Sequence, residues 1–255
     1  PDDDFGLDLQ FLTRLEPVLD FLQTQYWRVR VEGMEQIPLS SPCVFVANRS
    51  GLIPYDGLML AHILSRFGDA ESRVRFLVSD SVASQPFLQG WLARVGAVRA
   101  CRENAERLLD SGFSVIAFPE GDGGASKSFR DRYTLVRFSR DGAIQAALER
   151  EVPLVPVGLV GAEETHPLLA RISPPPALAG LPFLPVTPTF PLFGALGALP
   201  LPARWVIRFG TSWSSGDLEF KAEDEVSLMR VHAEIRERVQ ALVRAALKTR
   251  GSAWR

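Results

Sequence analysis

The sequence predicts an α/β fold: a single domain with a mixed, mostly parallel sheet covered by helices. Three observations predict it. Six short β-branched or aromatic runs alternate with stretches of helical periodicity: Trp27 to Val31, Cys43 to Ala47, Val74 to Val78, Ser114 to Phe118, Leu154 to Val160 and Trp205 to Phe209. That is the pattern of strands covered by helices. Glycine-containing loops follow three of the runs, at the edge where an α/β sheet presents ligands. The 255 residues are 46% hydrophobic, enough apolar side chain to bury a real core at this length.

Taken in order, the first helix spans about Leu9 to Gln25. Phe11, Leu12, Leu15, Val18, Leu19 and Leu22 fall at three- and four-residue spacing, an apolar stripe that suits packing on the domain or lying in a lipid headgroup layer. The segment from Ile172 to Ala203 carries no charge but is broken by Pro174, Pro175, Pro176, Pro182, Pro185, Pro188, Pro191, Pro200 and Pro202. Proline at that density removes too many backbone donors for a membrane-spanning helix. It reads as an apolar loop that packs on the protein, lines an acyl chain or touches a membrane surface. The last helix, about Glu223 to Thr249, opens on Glu223, Asp224 and Glu225 and closes on Lys248 and Arg250 before Gly251. Acidic start, basic finish and glycine stop follow the helix dipole and capping preferences, so this helix is assigned structure alone.

Composition excludes several classes. With 28 Lys+Arg against 30 Asp+Glu, the net charge of -2 argues against a polybasic nucleic-acid binder and against disorder. Only Cys43 and Cys101 are present, so the chain is no disulfide scaffold and suits a reducing compartment. Both cysteines sit in apolar runs, where core packing outweighs an acyl-cysteine role. The chain starts at Pro1 without a methionine, which reads as a segment trimmed or excised from a longer polypeptide.

The polar groups in the strand-end loops meet a family pattern. Asn48, Ser50, Gly51, Pro54, Asp56 and Gly57 keep the register of a block reading Asn-His-Ser-Gly, two residues, Pro, one residue, Asp-Gly. Gly96-Ala97-Val98 with Arg102, then Phe118-Pro119-Glu120-Gly121, then Leu154-Val155-Pro156-Val157 follow in order. On these four blocks, from about residue 45 to 165, the chain resembles the glycerolipid acyltransferases of the lysophosphatidate type. The resemblance divides the chain into an N-terminal helix and first strand over 1–35 and an acyltransferase-like domain over 36–255, one structural unit in all.

The resemblance implies a reaction in which a lipid hydroxyl attacks an acyl thioester, with the block-one histidine as base and the block-one aspartate orienting its imidazole. Here that histidine position is Arg49. A guanidinium keeps its proton throughout the accessible pH range, so Arg49 cannot be the base; it can pair with Asp56 or hold an anion through its planar fork. Transfer is therefore expected to be slow and to be restored by Arg49→His, unless the chain is a non-catalytic lipid- or acyl-binding member. Of the three histidines, His62 lies around a helix from Asp56, His232 is on the last helix, and His166 follows the block-four strand, the one place near the sheet edge.

The other implied site residues are Asn48, Ser50, Gly51, Arg102, Glu120, Gly121, Lys127 and Arg130, with Arg49, Asp56 and Glu120 expected around one shared cavity. Each also has a structural reading. Asp56 can cap the helix Gly57 to Phe67, and Glu120 can accept from backbone donors of a neighbouring loop. Arg102 can be surface charge at a helix start. Lys127, Arg130, Arg132 and Arg137 can form a solvated face or replace the cation that the family commonly carries after Phe-Pro-Glu-Gly, where this chain has Asp122 and Gly123. No metal and no cofactor are expected. The expected co-substrate is acyl-CoA or acyl-ACP and the acceptor lysophospholipid-like, on the inner, cytoplasmic face of a membrane.

Overall fold

The computed structural model describes residues 3–38, 41–51, 53–67, 73–85, 88–139, 142–173, 183–214, 216 and 225–253. In chain order the elements are α1 (Leu9–Phe21), β1 (Arg30–Glu32), β2 (Val44–Ala47), α2 (Tyr55–Ser65), β3 (Val74–Val78), α3 (Asp80–Ala83), α4 (Gln89–Arg94), β4 (Ala97–Arg99) and α5 (Arg102–Asp110). They continue with β5 (Ser114–Ala117), α6 (Gly121–Ala125), α7 (Ala143–Glu149), β6 (Leu154–Val160), α8 (Ala162–Thr165), β7 (Ala170–Ile172), β8 (Leu184–Val186), β9 (Val206–Phe209) and α9 (Glu225–Arg250).

Seven strands form one sheet in the order β1-β9-β6-β2-β5-β3-β4, parallel except where β9 runs antiparallel to β6. A mixed, mostly parallel sheet between helices is the predicted fold class. Strand alternation sorts its two faces. Phe45 and Ala47 join the core under α2, whereas Val44 and Val46 join the core under α5, α7 and α9. The order places the C-terminal ends of β6, β2 and β5 side by side, and this is what gathers the loops after residues 47, 117 and 160. Close packing of α9 needs Gly158 in β6: a Cβ there would stand 2.8 Å from the Val243 backbone nitrogen.

The structure departs from the expectations at definite places. The first strand is Arg30–Glu32 rather than Trp27 to Val31, because α1 runs on as a π-helical turn over Leu22–Tyr26; Trp27 still accepts the Trp205 N–H at 3.0 Å and stacks on the Trp205 ring at 4.4 Å. The apolar run before Cys101 forms the edge strand β4, which takes up Ala97 and Val98 and stops at Arg99, so that Cys101 stands at the start of α5 rather than in a strand. Helix α2 begins at Tyr55, with Pro54 in the capping position, so Asp56 lies inside the first turn and is no N-cap. The apolar loop divides: Ala170–Ile172 pairs with Leu184–Val186 as a hairpin, while Pro174, Pro175, Pro176 and Pro182 lie outside the described residues, as do Glu223 and Asp224.

Helix α1 packs its apolar face on the core through Leu19, with Phe11, Leu12 and Leu15 beside it. His62 Nε2 lies 3.0 Å from Asp20 Oδ1 and Arg66 Nη2 donates to Asp20 Oδ2 at 3.2 Å, fastening α1 to α2. This places His62 away from the block-one loop. Among the described residues no helix is long and apolar enough to cross a membrane.

A candidate active site at the ends of the central strands

Asn48 closes β2. Its Nδ2 donates to the Leu159 carbonyl at 2.9 Å and its Oδ1 accepts the Leu159 N–H at 2.7 Å. One amide side chain thereby continues the ladder to β6 beyond the end of β2, and Asn48 is a fully buried clamp.

Arg49, Asp56 and Glu120 meet in one buried cluster. Arg49 Nη1 donates to Asp56 Oδ1 at 3.2 Å, with side-chain exposures of 3% and 0%. Its guanidinium also lies over the Phe118 ring at 5.3 Å. Asp56 Oδ2 accepts the Ser50 N–H at 3.0 Å and the Ser50 hydroxyl at 2.8 Å, while Oδ1 also accepts the Gly57 N–H at 2.8 Å. A carboxylate so occupied fixes the loop between β2 and α2. Glu120 behaves as a loop tie: Oε1 accepts the Arg49 N–H at 2.9 Å and Oε2 accepts the Val136 N–H at 2.8 Å. Gly124 in α6 permits this approach, because a Cβ there would come within 2.5 Å of Glu120 Cβ and 2.8 Å of Arg49 Cβ.

A cavity of about 260 Å³ adjoins the cluster. Ser50, Gly51 and Tyr55 line it from the block-one loop and α2, Lys127 and Arg132 from beyond α6, and Glu163, Thr165 and His166 from the end of β6. Arg49, Asp56 and Glu120 do not reach its wall. Phe129, Leu168, Phe183, Leu184 and Phe190 make most of the remaining wall apolar. Part of the proline-rich loop therefore covers the cavity, while Leu192, Phe193, Leu196 and Leu199 beyond it stand 61–82% exposed.

Lys127 bridges cluster and cavity. Its Nζ lies 3.2 Å from Glu120 Oε2 and 3.1 Å from Glu163 Oε1, and Glu163 Oε2 also accepts the Tyr133 N–H at 2.9 Å. Burial works against the lysine charge, but Glu163 and Glu120 outweigh it and hold the ammonium above the ordinary lysine range. Burial pushes Glu163 up to about 7, against the pull of Lys127. His166 stacks on Tyr55 with ring centroids 5.6 Å apart and planes 5° from parallel, and its Nδ1 lies 3.3 Å from Thr165 Oγ1.

Two implied residues stand apart. Arg102 donates from Nε to Glu106 at 2.8 Å and from Nη2 to Glu149 at 2.6 Å on an exposed helix start, so it is a surface ion pair joining α5 to α7. Arg130 is exposed, and Arg132 faces the cavity instead. Gly121 opens α6 with φ +52° and lies off the cavity wall. The sequence reading missed Glu163 and Tyr55. The available signal for Glu163 was its place directly after a central strand, since Ala-Glu-Glu-Thr by itself reads as a solvated turn. Cys43 is core, its thiol pushed up to about 12 by burial. Among the described residues no group of His, Cys, Asp and Glu could hold a metal.

Residues 28–160, about half the chain and including all four blocks, match the acyltransferase family model. The chain belongs to the acyltransferase family. It is 37% identical over 240 residues to an uncharacterised protein of Mycobacterium tuberculosis (strain ATCC 25618 / H37Rv), covering 93% of this chain and 67% of that one. A Mycobacterium leprae (strain TN) relative is also 37% identical, covering 93% and 65%. This acyltransferase-family chain thus spans about two thirds of the length of those relatives. A lyso-glycine lipid O-acyltransferase of Phocaeicola vulgatus is 27% identical over 131 residues, 48% of this chain and 45% of that one. The crystal structure of the 1-acyl-sn-glycerophosphate (LPA) acyltransferase PlsC from Thermotoga maritima superposes with a TM-score of 0.58 at 20% identity, covering 94% of this chain and 81% of that one, a likeness of fold.

Proposed function

We propose that this acyltransferase-family chain transfers a fatty acyl group from a thioester donor, acyl-CoA or acyl-ACP, to the hydroxyl of a lysophospholipid-like acceptor. The observation that carries the reading is the cavity at the ends of β2, β5 and β6, whose lining is mostly apolar and also includes Ser50, Lys127, Arg132 and Glu163. An acyl chain suits the apolar lining and a charged headgroup the polar residues. Arg132 is the cation placed to hold a phosphate there, in the role the sequence reading gave to the cluster Lys127, Arg130, Arg132 and Arg137, while Lys127 is taken up by Glu120 and Glu163. Arg49 and Asp56 support the block-one loop from behind, and position 49 supplies no base. Transfer is accordingly slow, driven by positioning.

The test is release of free thiol from long-chain acyl-CoA with lysophosphatidate. The expected result is a low rate that requires the acceptor and rises about 10²-fold in Arg49→His, the lower end of what a positioned base contributes. Acyl-CoA binding without turnover in either protein would instead make the chain a lipid-binding member. Leu192, Phe193, Leu196 and Leu199 form the surface proposed to meet a membrane. Flotation with anionic liposomes should carry the wild-type chain upward, and Phe193→Ser/Leu196→Ser should leave it in the soluble fraction; equal flotation of the two would exclude this surface.

A further inference from the structure

We propose that Arg250, the last residue of α9, positions Arg132 for the anionic group of the acceptor by taking up Glu164; the inference rests on the reading above of Arg132 as the cation for that group. Arg132 is on the cavity wall, whereas neither Glu164 nor Arg250 is. Glu164 faces both guanidiniums with its side chain 2% exposed. Arg250 Nη2 donates to Glu164 Oε1 at 3.0 Å and Arg250 Nη1 to the Tyr133 hydroxyl at 2.9 Å, and that hydroxyl donates in turn to Glu164 Oε2. Arg132 Nε stands 4.0 Å from the same Oε1, beyond hydrogen-bond reach. That Nε is buried with no hydrogen-bond partner among the described residues, and Nη1 donates to the Phe129 carbonyl at 2.8 Å. One carboxylate offsets one guanidinium. Arg250 has it, so Arg132 keeps its charge for the cavity.

The backbone beside Arg132 is fixed from the same helix. Tyr133 takes the left-handed conformation at φ +67°, which a bulky residue holds only where its surroundings over-determine it. Gln240 of α9 supplies two of the ties: Nε2 donates to the Tyr133 carbonyl at 2.8 Å and Oε1 accepts the Leu135 N–H at 2.9 Å. The Tyr133 N–H goes to Glu163 at 2.9 Å. Without Arg250, Glu164 would be a buried carboxylate that has lost its ion-pair partner, with the Arg132 guanidinium already 4.0 Å away. An uncompensated buried charge is costly enough to draw that guanidinium onto it. The headgroup would then lose its cation while the apolar lining stayed in place. Arg250 acts through Glu164 on Arg132, and is a positioning residue.

The experiment titrates a short-chain lysophosphatidate into the full chain by calorimetry and measures KM and kcat in the thiol-release assay, with a neutral monoacylglycerol of the same chain length as the uncharged acceptor. Arg250→Met should weaken lysophosphatidate binding and raise its KM about tenfold, the lower end of what a hydrogen bond to a charged group contributes. Its kcat, and the KM for monoacylglycerol, should stay close to wild type. Arg250→Met/Glu164→Gln removes the carboxylate that draws Arg132 away and should restore lysophosphatidate affinity to within about twofold. If Arg250→Met does not fold, Arg250→Lys takes its place: it keeps a cation beside Glu164 but not the planar fork that also reaches Tyr133, and should raise the lysophosphatidate KM roughly two- to threefold. Unchanged lysophosphatidate affinity in the folded Arg250 variant, an equal loss with monoacylglycerol, or no recovery in the double variant overturns the inference and leaves acyl transfer standing. Wild-type affinity in Arg132→Met overturns it too, because Arg132 is then not the headgroup's cation. If lysophosphatidate binds with the expected loss and rescue but no thiol is released, the acyl-transfer reading fails and the positioning of Arg132 stands. If the wild-type chain does not bind lysophosphatidate, both fall.

Discussion

Asp56→Ala is expected to destabilise the protein by about 3–5 kcal/mol, the usual cost of removing one partner of a buried ion pair. The substitution takes away the carboxylate that receives Arg49 Nη1, the Ser50 N–H, the Ser50 hydroxyl and the Gly57 N–H. It does so where Arg49 is almost wholly out of water, so the guanidinium charge has little solvent to compensate it. For a domain of this size such a loss lowers Tm by roughly 6–20 °C. Arg49→Met/Asp56→Ala removes the buried charge together with its counterion and should recover more than half of the lost stability, since deleting both members of a buried pair is often nearly neutral. Urea unfolding of the three proteins checks this. A loss below about 1 kcal/mol in Asp56→Ala, or a double variant no better than the single one, would show that the pair does not hold the block-one loop. The double variant also separates support from chemistry: regained stability with activity still low would mean that the loop needs Asp56 for more than folding.

The parts of this arrangement legible in the sequence are those written by local pattern. Strands β2, β3, β5, β6 and β9 lie within about one residue of the apolar runs that predicted them, because a parallel strand buried on both faces is a continuous apolar run. The contents of the block-one and Phe-Pro-Glu-Gly loops were legible too, since motif spacing survives in one dimension. Pairing across the sheet was not. Nothing near Lys127 announces Glu163, 36 residues on, and nothing near Glu120 announces the Val136 N–H; both follow from the strand order, which brings the ends of β5 and β6 to either side of β2. Asp56 illustrates a finer limit. A carboxylate at the start of a helix reads as a cap, and only the position of Tyr55 as first helical residue reveals that its bonds run back to Ser50 instead. The apolar run before Cys101 reads as a strand, but three residues give no periodicity from which the bounds or the edge position of β4 could be set. The proline-rich loop had three readings, and the structure gives its described parts two surroundings, a cavity wall at Phe183 to Phe190 and open surface at Leu192 to Leu199.

Lys127→Met should be the most pH-sensitive substitution in the protein. Methionine roughly fills the volume but removes the cation between Glu120 and Glu163, leaving two carboxylates that are both almost fully buried. Above pH 7 the cost should approach the about 3–5 kcal/mol of an uncompensated buried charge. The sign of the pH dependence follows from Glu163, whose burial pushes it up to about 7 from 4.5. Between those values the native state holds more protons than the unfolded chain, so stability conferred by this group is complete below about pH 4.5 and is lost as pH rises through 7. Without Lys127, which pulls Glu163 down, the loss should deepen and its upper end should move to higher pH. The gap between wild type and variant is therefore expected to be small at pH 5 and largest at pH 8, measured as urea midpoints at both. Glu163→Gln in the Lys127→Met background should close most of that gap, because an amide can still accept the Tyr133 N–H and carries no charge to desolvate. A gap independent of pH would mean that Lys127 acts by packing its alkyl stem, and that Glu163 is not the group setting the charge balance of the cavity wall.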